Sequence, residues 1–189
     1  MALGLFFATK VAIDNWPLTP ITARSLAISL ASGILIGAFA LATVLGSARR
    51  WPAALTRLLP RISMPVWKRM LLALHAGISE EILFRLLLLS GLLWAALLIT
   101  RALWPRISAT RVFWICNLFV AIAFGVAHVP AWAALTTVTA SLAAVVISVN
   151  GVVALALGLV YWRWGIYAAI IAHCLADATF WGIGPSLLS

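Results

Sequence analysis

The feature that most limits the fold of this chain is the length of its apolar runs. Residues 21–45, 70–100, 112–129, 131–162 and 164–181 are apolar almost throughout. A helix needs about 17–25 such residues to cross the ~30 Å hydrocarbon core of a bilayer. Charged residues make up 9% of the chain, against roughly a quarter in a soluble domain. So little polar surface does not cover a water-soluble globule of this size. A cytosolic enzyme, a disordered chain and a secreted disulfide scaffold are excluded. The runs do not alternate with period two, so helices cross the membrane and not barrel strands. The expected fold is all-α: one integral membrane domain over residues 1–189, a polytopic transmembrane helical bundle of about five to six segments.

The boundaries follow from prolines and charges. Met1–Ile13 is apolar but carries Lys10 and is too short to span; it reads as an interfacial or partial helix and not as a signal peptide. A first spanning helix covers Ile21–Leu45. Residues 47–69 form a basic loop with Pro52, Pro60 and Pro65. A second helix runs from Met70 to Thr100, too long to stand upright, with a tilt or break expected near Gly91. Arg101, Pro105, Arg106 and Arg111 mark a turn. A third helix spans Val112–Val129, closed by Pro130. Residues 131–162 are long for one span and short for two, with Asn150-Gly151 the expected break. The last helix follows Arg163, from Trp164 to Trp181.

Thirteen Lys/Arg against four Asp/Glu give a formal charge of +9. The basic residues punctuate apolar runs and form no continuous basic face, so nucleic acid is not the expected partner. Arg49, Arg50, Arg57, Arg61, Lys68 and Arg69 share one acid-free segment, which places the 47–69 loop inside the cell, near anionic headgroups. Trp16, Trp51, Trp67, Trp104, Trp162 and Trp164 flank the runs as interfacial anchors. Cys116 and Cys174 lie within apolar stretches and read as small buried hydrophobes.

Ionisable groups are costly in lipid, so each one inside a span asks for a function or a partner. Asp14 is outside the spans, in an ordinary interfacial position. Glu80, Glu81 and Asp177 are inside them, with His75, His128 and His173. Glu81 and Arg85 stand i, i+4 with the acid N-terminal, the favourable order, and neutralise each other. Glu80 points about 100° away and is left for something else. His173 and Asp177 are i, i+4, as are Phe124 and His128. His75 has the plainer reading of a structural residue. With the basic loop inside, Glu80 and His128 meet in the inner half of the membrane, and His173 sits near mid-depth. Glu80, His128, His173 and Asp177 thus offer two imidazoles and two carboxylates. That set suits a divalent metal such as zinc, or a water held for a carboxylate base.

These residues resemble a known family. Ser79-Glu80-Glu81-Ile82-Leu83-Phe84-Arg85 looks like the E-E-x-x-x-R motif of the CPBP (CAAX protease and bacteriocin-processing, or Abi) intramembrane proteases. Phe124-Gly125-Val126-Ala127-His128 resembles the second motif, F-x-x-x-H. Ala172-His173-Cys174-Leu175-Ala176-Asp177 resembles the third, H-x-x-x-N. The resemblance covers residues 69–181 as a catalytic core; residues 1–68, the N-terminal helix and basic loop, match only as generic membrane helix. It implies a fold similar to the CAAX prenyl endopeptidases and an intramembrane endopeptidase facing the cytosol. By that likeness Glu80 activates the attacking water. His128 orients the water or a metal, His173 and Asp177 steady the oxyanion or the metal, and Glu81 with Arg85 and Phe124 support them. Zinc-assisted and metal-free routes both remain open. Asp177 stands where the pattern commonly has Asn, and Leu86 where a small residue is expected. The chain is also short for the family, so a helix or two of the usual N-terminal part is expected to be missing. An ionised Asp does not donate to an oxyanion, so Asp177 is expected to bind metal or to orient His173.

The implied substrate is a peptide or membrane-protein segment, and the implied location a bacterial inner membrane. The oligomeric state stays open. A non-catalytic immunity or binding protein of the same fold is the alternative. A proton-coupled carrier ranks lowest, because no inverted repeat appears.

Overall fold

A computed structural model describes residues 2–11, 18–47, 50, 64–134 and 136–188. Asp14, Trp16, Trp51 and most of the basic loop, including Arg49, Arg57 and Arg61, lie outside the described residues. The described chain is helical. A short α1 (Ala2–Val11) precedes α2 (Ala23–Ser47). The long α3 (Val66–Leu103) is α-helical at both ends and π-helical over Ile82–Leu89. After it come α4 (Ala109–Ala127), the one-turn α5 (Val129–Ala133) and α6 (Ala140–Leu188). Among the described residues, four helices are long and apolar enough to cross a membrane: α2, α3, α4 with α5, and α6.

Exposure follows the same physics. On α2, Leu26, Leu30, Ile34, Leu35 and Phe39 face outward. An apolar outer face of this kind is what lipid requires. Its inner face carries Ser25, Ser29, Gly33 and Gly37, all buried and spaced by four. Small residues on one stripe let helix backbones approach closely where no hydrophobic effect drives them together. A Cβ on Gly33 would lie 2.6 Å from the Ala172 carbonyl oxygen, and one on Gly37 would collide with that of Ala176. The α2–α6 seam is thus built on small residues from both sides.

The 131–162 run resolves differently from the sequence expectation. Asn150-Gly151 is not a break: the Asn150 side chain donates to the Val146 carbonyl at 2.8 Å and stays inside the helix. The break is Gly165, at φ 82 and ψ −179, a conformation open essentially to glycine alone. The two arms of α6, 140–164 and 166–188, run in opposite directions along α3. Arg85 meets Ala154 and Ser90 meets Tyr161 in the first arm, whereas Glu81 meets His173 and Arg69 meets Trp181 in the second. Gly165 is therefore a corner, and the described residues form five long segments.

Two further boundaries shift. The irregularity in α3 is a widened π turn at Ile82–Leu89, and Gly91 is ordinary helix packed against the Phe7 ring of α1. Pro130 opens α5 instead of closing a helix, since proline fits a first helical turn. α4 starts three residues earlier than expected because Ser108 caps it, accepting from the Arg111 amide. Phe113, Cys116, Val120 and Phe124 of α4 meet Leu157 and Tyr161 in the core, and Phe113 stacks on Trp162 with ring centroids 4.3 Å apart.

Candidate active site

The five long segments and α5 line a cavity of about 480 Å³. Glu80 of α3, Phe124 of α4, His128 at the C-terminal cap of α4, and His173 and Asp177 of α6 all line it, with largely apolar walls from α2 and the first arm of α6. The four residues offered by the sequence as the chemical set thus share one space. His75 does not: it is on the exposed face of α3, where its carbonyl accepts from Ser79 Oγ at 2.7 Å.

The two adjacent glutamates have separate environments. Glu81 is fully buried and Arg85 nearly so, and Glu81 Oε1 lies 2.9 Å from Arg85 Nη1. The contact is Coulombic, because Nη1 has no aligned acceptor. Arg85 also donates through Nη2 to the Ala154 carbonyl at 3.2 Å, and its guanidinium lies 5.0 Å over the Phe124 ring. Glu80 is 29% exposed and opens on the cavity. Its Oε2 is buried, has no hydrogen-bond partner, and is 3.8 Å from His173 Nε2.

Glu81 has a second role that spacing along one helix does not reveal. Its Oε1 accepts from His173 Nδ1 at 2.7 Å. A carboxylate on Nδ1 fixes the tautomer and the ring plane and leaves Nε2 as the working nitrogen. Asp177 Oδ2 stays within ion-pair range of His173 Nε2 at 3.9 Å, but the hydrogen-bonded acceptor that orients the ring is Glu81. The expectation that Asp177 orients His173 is corrected on this point: Asp177, one turn along α6, faces Nε2 and the cavity. His128 donates Nδ1–H to the Phe124 carbonyl at 2.8 Å, its own helix four residues back. Phe124 packs at 4.6 Å from the His128 ring, 6.1 Å from His173 and 4.8 Å from Phe84. It is the hydrophobic spacer that sets the two imidazoles apart.

Donor types in the cavity suit zinc, but their spacing does not. Among the described residues no three His, Cys, Asp or Glu side chains converge closely enough to hold a metal ion. Cys116 and Cys174 are free.

A helical membrane bundle that surrounds a carboxylate–imidazole cluster with a mostly apolar cavity belongs to the class of membrane-embedded proteins equipped for acid–base chemistry. The particular family follows from sequence: the model of the type II CAAX prenyl endopeptidase Rce1-like family matches residues 62–179. That is well over half of the chain and includes all three motifs, so the chain belongs to this family of proteases. Comparison with curated proteins and with solved structures finds no match.

Proposed function

We propose that the protein is an intramembrane endopeptidase in which Glu80 activates a water for attack on a peptide bond. The observation that carries this reading is the pair Glu80 Oε2 and His173 Nε2, 3.8 Å apart on the cavity wall, with the Glu80 oxygen partnerless. That gap is too long for a direct hydrogen bond and is of a length that one water bonded to both would bridge. Glu80 takes the water's proton as the oxygen bonds to the scissile carbonyl carbon. The same proton then passes to the leaving amine as the C–N bond breaks. The protonated His173 ring, its charge supported by Glu81, donates from Nε2 to the tetrahedral oxyanion. His128 adds a second polar group on the same wall. The basic 47–69 loop supports an orientation with the cavity mouth toward the cytosol.

The family's description supplies the test substrate, a prenylated C-a-a-X peptide. Purified protein in detergent is expected to release the C-terminal tripeptide, read by mass spectrometry. Glu80→Ala and His173→Ala are expected to lose this while accumulating normally in the membrane. Unchanged turnover by Glu80→Ala would sink the reading. Metal analysis of the same preparations decides whether zinc takes part.

Asp177 favours a second reading, because an ionised carboxylate does not replace the amide donor of the usual Asn. A non-catalytic binding or immunity protein would tolerate it. A Glu80→Gln variant that protects cells as well as wild type would support that alternative.

A further inference from the structure

The π-helical stretch of α3 begins immediately after the two glutamates and ends at Leu89, with Ser90 as its C-terminal cap. Segments of this kind are rare and tend to occur at functional sites. Its last turn is closed by an unusual arrangement. The Ser90 amide bonds to the Arg85 carbonyl five residues back, and Ser90 Oγ donates to the same carbonyl at 3.0 Å. A serine hydroxyl has one proton. With that proton on Arg85 O, the 2.8 Å contact between Ser90 Oγ and Tyr161 Oη is donated by Tyr161. Ser90 and Tyr161 are both fully buried.

We propose that Ser90 and Tyr161 are positioning residues of the active site. The proposal rests on the endopeptidase reading for its consequence in catalysis. Their hydroxyl chain runs Tyr161 O–H to Ser90 Oγ, then Ser90 O–H to Arg85 O, and it holds the widened turn that presents the Arg85 side chain. Arg85 lies against Glu81 Oε1, and the same oxygen orients His173 through Nδ1. The chain thereby connects the first arm of α6, through the widened turn of α3, to the imidazole on the second arm. Neither Ser90 nor Tyr161 lines the cavity.

The test uses Tyr161→Phe, Ser90→Ala and Ser90→Thr in the full-length protein, with Ser29→Ala as a control buried hydroxyl on α2. Two readouts do not depend on turnover. One is the ¹⁵N-imidazole NMR signal of His173, where the hydrogen-bonded Nδ1–H reports the Glu81 contact. The other is amide hydrogen exchange over residues 82–90. Tyr161→Phe and Ser90→Ala are expected to broaden or lose the Nδ1–H signal and to speed exchange in 82–90 by at least about tenfold. Against the prenylated peptide, kcat is expected to fall about tenfold to a hundredfold with KM little changed. Ser90→Thr, which keeps the hydroxyl, restores all three. An unchanged His173 signal with unchanged exchange in both variants overturns the proposal, whatever the turnover. So does a Ser29→Ala protein that shows the same losses. Loss of the NMR signal in Tyr161→Phe and Ser90→Ala, beside a wild-type protein that keeps the signal but cleaves nothing, would instead uphold the positioning network and overturn the protease reading.

Discussion

Glu81 Oε1 is shared by Arg85 on its own helix and His173 on another, and the Glu81 and Arg85 side chains are almost wholly buried. Removing one member of a buried pair leaves a charge uncompensated and costs roughly 3–5 kcal/mol. Arg85→Ala is therefore expected to lower the thermal midpoint of the detergent-solubilised protein and its yield in the membrane. The double variant Glu81→Gln/Arg85→Met, which removes both charges, is expected to recover most of that loss while remaining inactive. A double variant no more stable than Arg85→Ala would show that the pair is not what stabilises this face. Asp177 gives the opposite kind of prediction, because it lines the cavity and is 28% exposed. Asp177→Asn supplies an amide donor toward the oxyanion, and kcat on the prenylated peptide is expected to stay level or rise by about tenfold. A clear drop would mean the carboxylate itself is required.

The elements that carry the site are held by features smaller than a side chain. Gly165 turns α6 back on itself in a backbone region that excludes a Cβ, so Gly165→Ala costs about 1–3 kcal/mol of strain. That strain acts on the arm bearing His173 and Asp177. Lower thermal stability together with reduced kcat is the expected result; a variant with wild-type values in both would show the corner to be permissive. On the other side of the same arm, Gly33 and Gly37 set the spacing between α2 and Ala172 and Ala176. Gly37→Leu is expected to push α2 away and open the cavity wall that α2 provides, measured as loss of folded yield. The stripe Ser25, Ser29, Gly33, Gly37 is a signal present in the sequence at four-residue spacing. Its meaning depends on a partner helix with its own small residues, Ala168, Ala172 and Ala176.

The whole bundle has one direction pattern: α2 and the second arm of α6 run together, and α3 and the first arm run against them. With the 47–69 loop on the cytosolic side, Ser47 at the end of α2 faces the cytosol and Ser108 at the start of α4 faces outward. In a Cys116→Ala/Cys174→Ala background, Ser108→Cys is expected to react with a membrane-impermeant maleimide in intact cells. Ser47→Cys is expected to react only in inverted vesicles. The reverse labelling would turn the molecule over and place the cavity mouth outside.

Much of this was legible from the order of residues. Apolar runs of spanning length fix helices in lipid, because no other structure satisfies the backbone there. The i, i+4 pairing of Glu81 with Arg85, and the isolation of Glu80 around the helix, follow from helix geometry alone. The three motifs led to the family. Contacts between helices are not written in spacing along one helix. That Glu81 reaches across 92 residues to His173 Nδ1, and so takes the orienting part expected of Asp177, depends on how the second arm of α6 packs on α3. The corner at Gly165 was hidden for a related reason. Asn150-Gly151 carries the stronger local turn signal, but its polar group is satisfied within the helix, and only the return of the chain onto α3 selects Gly165 as the place to turn.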